Sequence, residues 1–116
     1  MEREELCERT QRFSIRIINL AVSLPGTIPG TMMARQIIRS GSSVGAKYRS
    51  ACRSKSRRDF INKIKTVEEE ADETLFWLEI IEELQLIKPE KLTGLKQETL
   101  ELLSIFVASL KTARKN

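Results

Sequence analysis

The sequence predicts an all-α protein, an antiparallel up-down-up-down four-helix bundle, and three observations carry that prediction. Apolar residues recur at steps of three and four along four long stretches. Gly and Pro are few, at five and three in 116 residues, so the chain has few turns and long elements. The connections between the periodic stretches are short, which favours helices that double back on their neighbours. A chain of this length makes one domain, residues 1–116.

The first helix is expected over about 3–24. Leu6, Phe13, Ile17, Leu20 and Leu24 step by 7, 4, 3 and 4, the seam of an amphipathic helix. Pro25-Gly26 and Pro29-Gly30 end it and form a short loop. The second helix is expected over about 31–55, with Met33, Ile37, Gly41, Val44, Tyr48, Ala51 and Cys52 on one side. Gly41 and Gly45 each weaken a helix by roughly 1 kcal/mol against Ala. Their expected use is the close approach of another backbone, with a kink as the alternative. A phosphate-cradling loop is excluded, because the glycine spacing is wrong and no strand precedes it.

Ser56 is a plausible N-cap for the third helix, with Asp59 three residues on. That helix is expected over about 57–86, on the seam Phe60, Ile64, Val67, Ala71, Leu75 and Leu78. Pro89 suits the first turn of a fourth helix over about 89–115. There Leu92, Leu95, Leu102, Phe106 and Leu110 share a side, and the end is basic. A 25-residue helix is about 37 Å long, so the body should be an elongated rod.

The charges are lopsided. Residues 31–65 hold ten basic side chains and one acidic, while residues 66–86 hold eight acidic and none basic. Folding these stretches against each other sets Arg35 and Arg39 opposite the acids near Glu73, where they are neutralised. Lys47, Arg49, Arg53, Lys55, Arg57, Arg58, Lys63 and Lys65 are left in excess around the helix 2–3 turn, with only Asp59 among them. Arg35, Arg39, Arg49 and Arg53 fall within about 80° on a helix wheel. This stripe reads either as a solvated or ion-paired face or as an anion track, since the planar fork of Arg binds carboxylate and phosphate alike. The candidate nucleic-acid-binding residues are therefore Arg35, Arg39, Lys47, Arg49, Arg53, Lys55, Arg57, Arg58 and Lys63. Glu68, Glu69, Glu70, Asp72 and Glu73 point around much of their helix and read as solvated or ion-paired surface, not as a metal cluster.

Enzyme chemistry has little to work with. His is absent, which removes the commonest general base and metal ligand. Cys7 and Cys52 read as buried thiols near the basic end, with no base to activate them. No catalytic residue, metal or cofactor is expected. No apolar run is long enough to cross a membrane, and the start MEREELCERTQR lacks a signal-peptide core, so a cytoplasmic protein is expected. Trp77 lies beside the third seam and reads as a subunit contact, a core edge or a base-stacking platform. Tyr48 reads as core more than as a stacking ring. The candidate self-association residues are Ser40, Gly41, Ser43, Gly45, Tyr48 and Trp77.

The motifs RSGSSVGAKYRSACRSKSRRDFINKI and VEEEADETLFWLE, with Leu24-Pro25, are specific enough to carry a resemblance over nearly the whole chain. The sequence resembles the four helix bundle protein family, also known as the 23S rRNA intervening-sequence protein family. That resemblance implies a bacterial four-helix bundle assembling as a homopentamer. Genes of the family are often found within intervening sequences of 23S rRNA genes. A related branch, the accessory variability proteins of diversity-generating retroelements, forms a basic pentameric barrel that binds nucleic acid and a reverse transcriptase. Neither branch is known as an enzyme. The family usually reads Gly-Ala-Asn where this chain has Gly45-Ala46-Lys47. Lys47 has donors but no acceptor, so it cannot replace an Asn that both gives and takes a hydrogen bond. The expected partners are a second copy of the chain and either RNA or DNA, with a protein partner as the alternative.

Overall fold

A computed structural model of the protein describes residues 2–115. Four helices follow one another: α1 (Arg3–Val22), α2 (Ile28–Cys52), α3 (Arg57–Glu83) and α4 (Pro89–Lys115). The described residues contain no strand. Each helix packs along its predecessor, while α1 and α4 meet only sparingly, and the whole is a rod of 48 × 20 × 19 Å. Short turns at residues 23–27, 53–56 and 84–88 reverse the chain each time.

The apolar seams meet in one core. Phe13, Ile17, Ile37, Val44, Ile64, Val67, Leu78, Leu92, Leu102 and Phe106 are all but inaccessible to solvent. The α3 seam differs from expectation at one step. Thr74, not Leu75, is buried between Ala71 and Leu78, and Ile81 continues the line. A polar residue is admitted there because its hydroxyl bonds the Glu70 carbonyl at 2.8 Å and Ser40 Oγ at 2.9 Å.

Four boundaries differ from the sequence reading, and the first is the end of α1, at Val22 and two residues short of Leu24. α2 begins at Ile28, inside the stretch expected to be loop: the Thr27 hydroxyl accepts from the Gly30 N–H at 3.2 Å, and Pro29 sits in the first turn, where no N–H is needed. α2 ends at Cys52, three residues short of Lys55. α3 ends at Glu83. Gln85 takes a left-handed conformation at φ 55°, so that the Gln85 N–H reaches the Glu82 carbonyl and the Leu86 N–H reaches that of Ile81. This is a Schellman closure made without glycine. The cap of α3 is as expected, the Ser56 hydroxyl accepting from the Asp59 N–H at 3.1 Å.

Candidate functional site

Gly41 and Gly45 of α2 face α1. A Cβ at Gly41 would collide with Ile17, and one at Gly45 would stand 2.6 Å from Ser14 Oγ. Ser14 donates to the Gly41 carbonyl at 2.7 Å and accepts from the Gly45 N–H at 3.0 Å. Ser40 is buried, its hydroxyl paired with that of Thr74 at 2.9 Å. Tyr48 is buried too, its ring stacked on Phe106 with centroids 5.9 Å apart. Of the six candidate self-association residues, Ser40, Gly41 and Tyr48 thus lie inside the single chain. Gly45 holds α1 against α2. Ser43 and Trp77 are half-buried at the surface. Trp77 packs on the core edge and donates from Nε1 to Glu73 at 3.0 Å, with the exposed Phe76 ring edge-on beside it.

The α2–α3 hairpin neutralises a different set of cations from the one expected. Arg39 pairs with Glu73, as expected, and with Glu70 at 3.5 Å. Lys47, expected to be in excess, reaches Glu70 at 2.8 Å: the long stem spans the two helices where Arg would place a rigid fork. Lys63 is held by Asp59 one turn away at 3.2 Å. Arg35 has no carboxylate within 4 Å among the described residues, and it sits near the start of α2, at the far end of the rod.

What the fold brings together is a smaller group. Arg49, Arg53, Lys55, Arg57 and Arg58 surround the α2–α3 turn, all exposed, and among the described residues none has a carboxylate within 4 Å. The antiparallel path adds Arg3 from α1 and Lys111, Arg114 and Lys115 from α4 to the same end. It also adds Glu2, Glu4 and Glu5, which the sequence reading did not set there. Their signal was available, because a chain that runs up and down four times returns its start to the helix 2–3 turn.

Two further features belong to this end. A cleft of about 850 Å³ opens between the first turn of α1, the α2–α3 turn and the last turns of α4. The Arg3 guanidinium lies over the Phe60 ring at its rim, 4.4 Å from the centroid. Cys7 and Cys52 are free and half-buried, and burial pushes the Cys52 thiol and the Tyr48 phenol above their ordinary pKa values. Away from the end, Arg9 forks onto Glu98 at 2.7 and 2.8 Å and ties α1 to α4 where their packing is thin. Among the described residues no helix is long and apolar enough to cross a membrane.

The model of the family described as 23S rRNA-intervening sequence protein matches residues 2–108. A crystal structure of a protein with unknown function from the S23 ribosomal protein family of Bacteroides thetaiotaomicron VPI-5482 is similar to the chain, with a TM-score of 0.88 and 32% identity. The likeness covers 96% of this chain and 99% of that one. No curated protein matches the chain.

Proposed function

The chain belongs to the 23S rRNA-intervening sequence protein family, and from that premise we propose that it is a non-enzymatic bundle that binds the phosphate backbone of RNA or DNA through its cationic end. The observation that carries this reading is the group Arg49, Arg53, Lys55, Arg57 and Arg58, exposed and without a carboxylate within 4 Å among the described residues. Their forks and ammonium groups match phosphate oxygens, and this arrangement favours backbone contact over sequence readout. A nucleophilic cysteine wants a lowered pKa; burial raises that of Cys52, which supports a non-catalytic role. Free thiols suit a reducing cytoplasm.

Binding should fall steeply with salt. If about five duplex phosphates are engaged, the log–log slope is about −4.5, a loss of about 500-fold between 50 and 200 mM salt. The test is salt-dependent binding of labelled RNA and DNA to wild type and to the Arg53→Glu/Arg57→Glu variant. Loss of binding in the variant with assembly size unchanged supports the reading. No binding to either nucleic acid at low salt sinks it.

A second reading is supported by the exposed apolar side chains Ile15, Val22, Ile28, Met32, Phe76 and Val107. Association would cover such side chains, and the family resemblance implies five copies. In this reading the chain is a structural or adaptor homo-oligomer, and its basic and acidic regions meet across subunits or on a protein partner. Light scattering separates the two: an assembly that loosens in salt and binds no nucleic acid favours the second, and a monomer counts against it.

A further inference from the structure

We propose that the cleft at the cationic end takes one unpaired nucleotide of a bound strand, base first. The inference rests on the nucleic-acid reading of that end and goes beyond it, because a phosphate track alone needs no cavity.

The volume of about 850 Å³ falls within the roughly 300–1,000 Å³ of small-molecule sites. Its floor is apolar, made by Leu6, Tyr48 and Ile105. Phe60 forms part of the wall and is only partly buried. Arg3, Lys55 and Arg57 line the same cleft. Apolar and aromatic side chains beside three cations are the combination that a nucleotide presents in reverse: an aromatic base bonded to a sugar and an anionic phosphate. Inorganic phosphate would leave Phe60 and the floor unused, and a neutral apolar ligand would leave the cations unused.

Two details sharpen the assignment. The Arg3 guanidinium already lies over the Phe60 ring, 4.4 Å from its centroid. A base that takes this place keeps the stacking and frees the guanidinium for a phosphate oxygen. Ser54 also lines the cleft, and its Oγ is buried with no hydrogen-bond partner among the described residues. An unmade bond of this kind is unfavourable, and a turn of the Ser54 side chain toward the cleft lets the polar edge of a base satisfy it. Paired bases have both faces covered and cannot enter, so the cleft selects single strands, loops or bulges, whose bases can be splayed out.

The probe is a ten-nucleotide single-stranded RNA with 2-aminopurine at its centre, compared with the same strand annealed to its complement. Wild type should bind the single strand more tightly and change the 2-aminopurine emission. Phe60→Ala should weaken single-strand binding by between about 5-fold and about 150-fold, the range for loss of one base stack. Duplex binding should stay within about twofold. Because Phe60 also touches the core, Ala108→Trp serves as a second variant. Ala108 is exposed and lines the cleft, so the indole fills the cavity and leaves every cation in place. It should give the same selective loss. Equal affinity for single strand and duplex, unmoved by either variant, overturns the cleft and leaves the cationic-end reading standing. No binding of either form overturns both. A change of assembly size with Ala108→Trp at unaltered affinity makes the cleft a subunit seam and overturns the proposal.

Discussion

Ser14 of α1 accepts a hydrogen bond from the Gly45 N–H of α2 at 3.0 Å while its proton goes to the Gly41 carbonyl at 2.7 Å. Those two backbone groups are the pair that an α-helix joins to each other. A side chain of one helix therefore straddles a rung of the next, and only a residue without Cβ lets it come so near.

Gly45→Ala tests that closeness. Helix propensity alone favours Ala by ~1 kcal/mol. The added Cβ would stand 2.6 Å from Ser14 Oγ and 3.1 Å from the Thr10 carbonyl, and overpacking of a fitted contact typically costs about 1–3 kcal/mol. The expected result in urea unfolding is a net loss of about 1–2 kcal/mol. Adding Ser14→Ala removes the nearest clash, so the double variant should be more stable than the sum of the singles by at least ~0.5 kcal/mol.

The Thr74–Ser40 hydroxyl pair should behave as a unit. Thr74→Val alone leaves Ser40 Oγ buried with a long 3.5 Å bond to the Ile37 carbonyl and should cost about 1 kcal/mol. Thr74→Val with Ser40→Ala removes both partners, and its cost should fall below the sum of the two singles. Additive losses in chemical denaturation would refute the coupling.

The Arg9–Glu98 fork is expected to matter more than an ordinary surface pair, because the side chains are only 18% and 17% exposed. Glu98→Gln should lose about 2 kcal/mol, the scale of a charged hydrogen bond. Arg9→Lys should not be neutral, since an ammonium cannot make both bonds. A double-mutant cycle in low and in 0.5 M salt should give nearly the same coupling.

Alkali should weaken the fold at the cationic end. Tyr48 and Cys52 are held neutral by burial, and their folded pKa values are raised. Their contribution is complete below the unfolded thiol value of about 9 and is lost as pH climbs from there toward the folded values. Melting temperature should be flat from pH 7 to 8 and fall above about 9. Tyr48→Phe should flatten the part of the fall above about pH 10.

Gln85 is a site for stabilisation. Its φ of 55° lies where side chains other than Gly pay a steric cost of roughly 1 kcal/mol. Gln85→Gly should raise stability by about 0.5–1 kcal/mol, seen as a higher melting temperature.

The seams of α1, α2 and α4 were legible because apolar spacing alone decides which face of a helix is buried. Thr74 was not, since its place in the core depends on Ser40, which is remote in sequence. The early start of α2 was hidden because Pro29-Gly30 reads equally as loop or as first turn until Thr27 caps it. The C-terminus of α3 had no glycine to announce it. Among the charges, the Arg39–Glu73 pair followed from the hairpin register. The Lys47–Glu70 pair did not, because the reach of a flexible stem sets it. The cleft was invisible for a different reason: Arg3, Ser54, Phe60 and Ala108 come from three helices and a turn, and no local pattern links them.

The arrangement of charge along the rod has a consequence for how the molecule meets other things. In an antiparallel bundle the backbone moments of neighbouring helices oppose one another, so the permanent electric dipole must come mainly from side chains. Cations are in excess around the α2–α3 turn, while toward the other tip Glu79, Glu83 and Glu90 are offset by Arg35, Lys88 and Lys91, so the net charge is gathered at one end of the 48 Å axis. The protein is a needle charged at one tip: near a polyanion it would turn end-on before it touches, and whatever it coated would present its near-neutral tip outward.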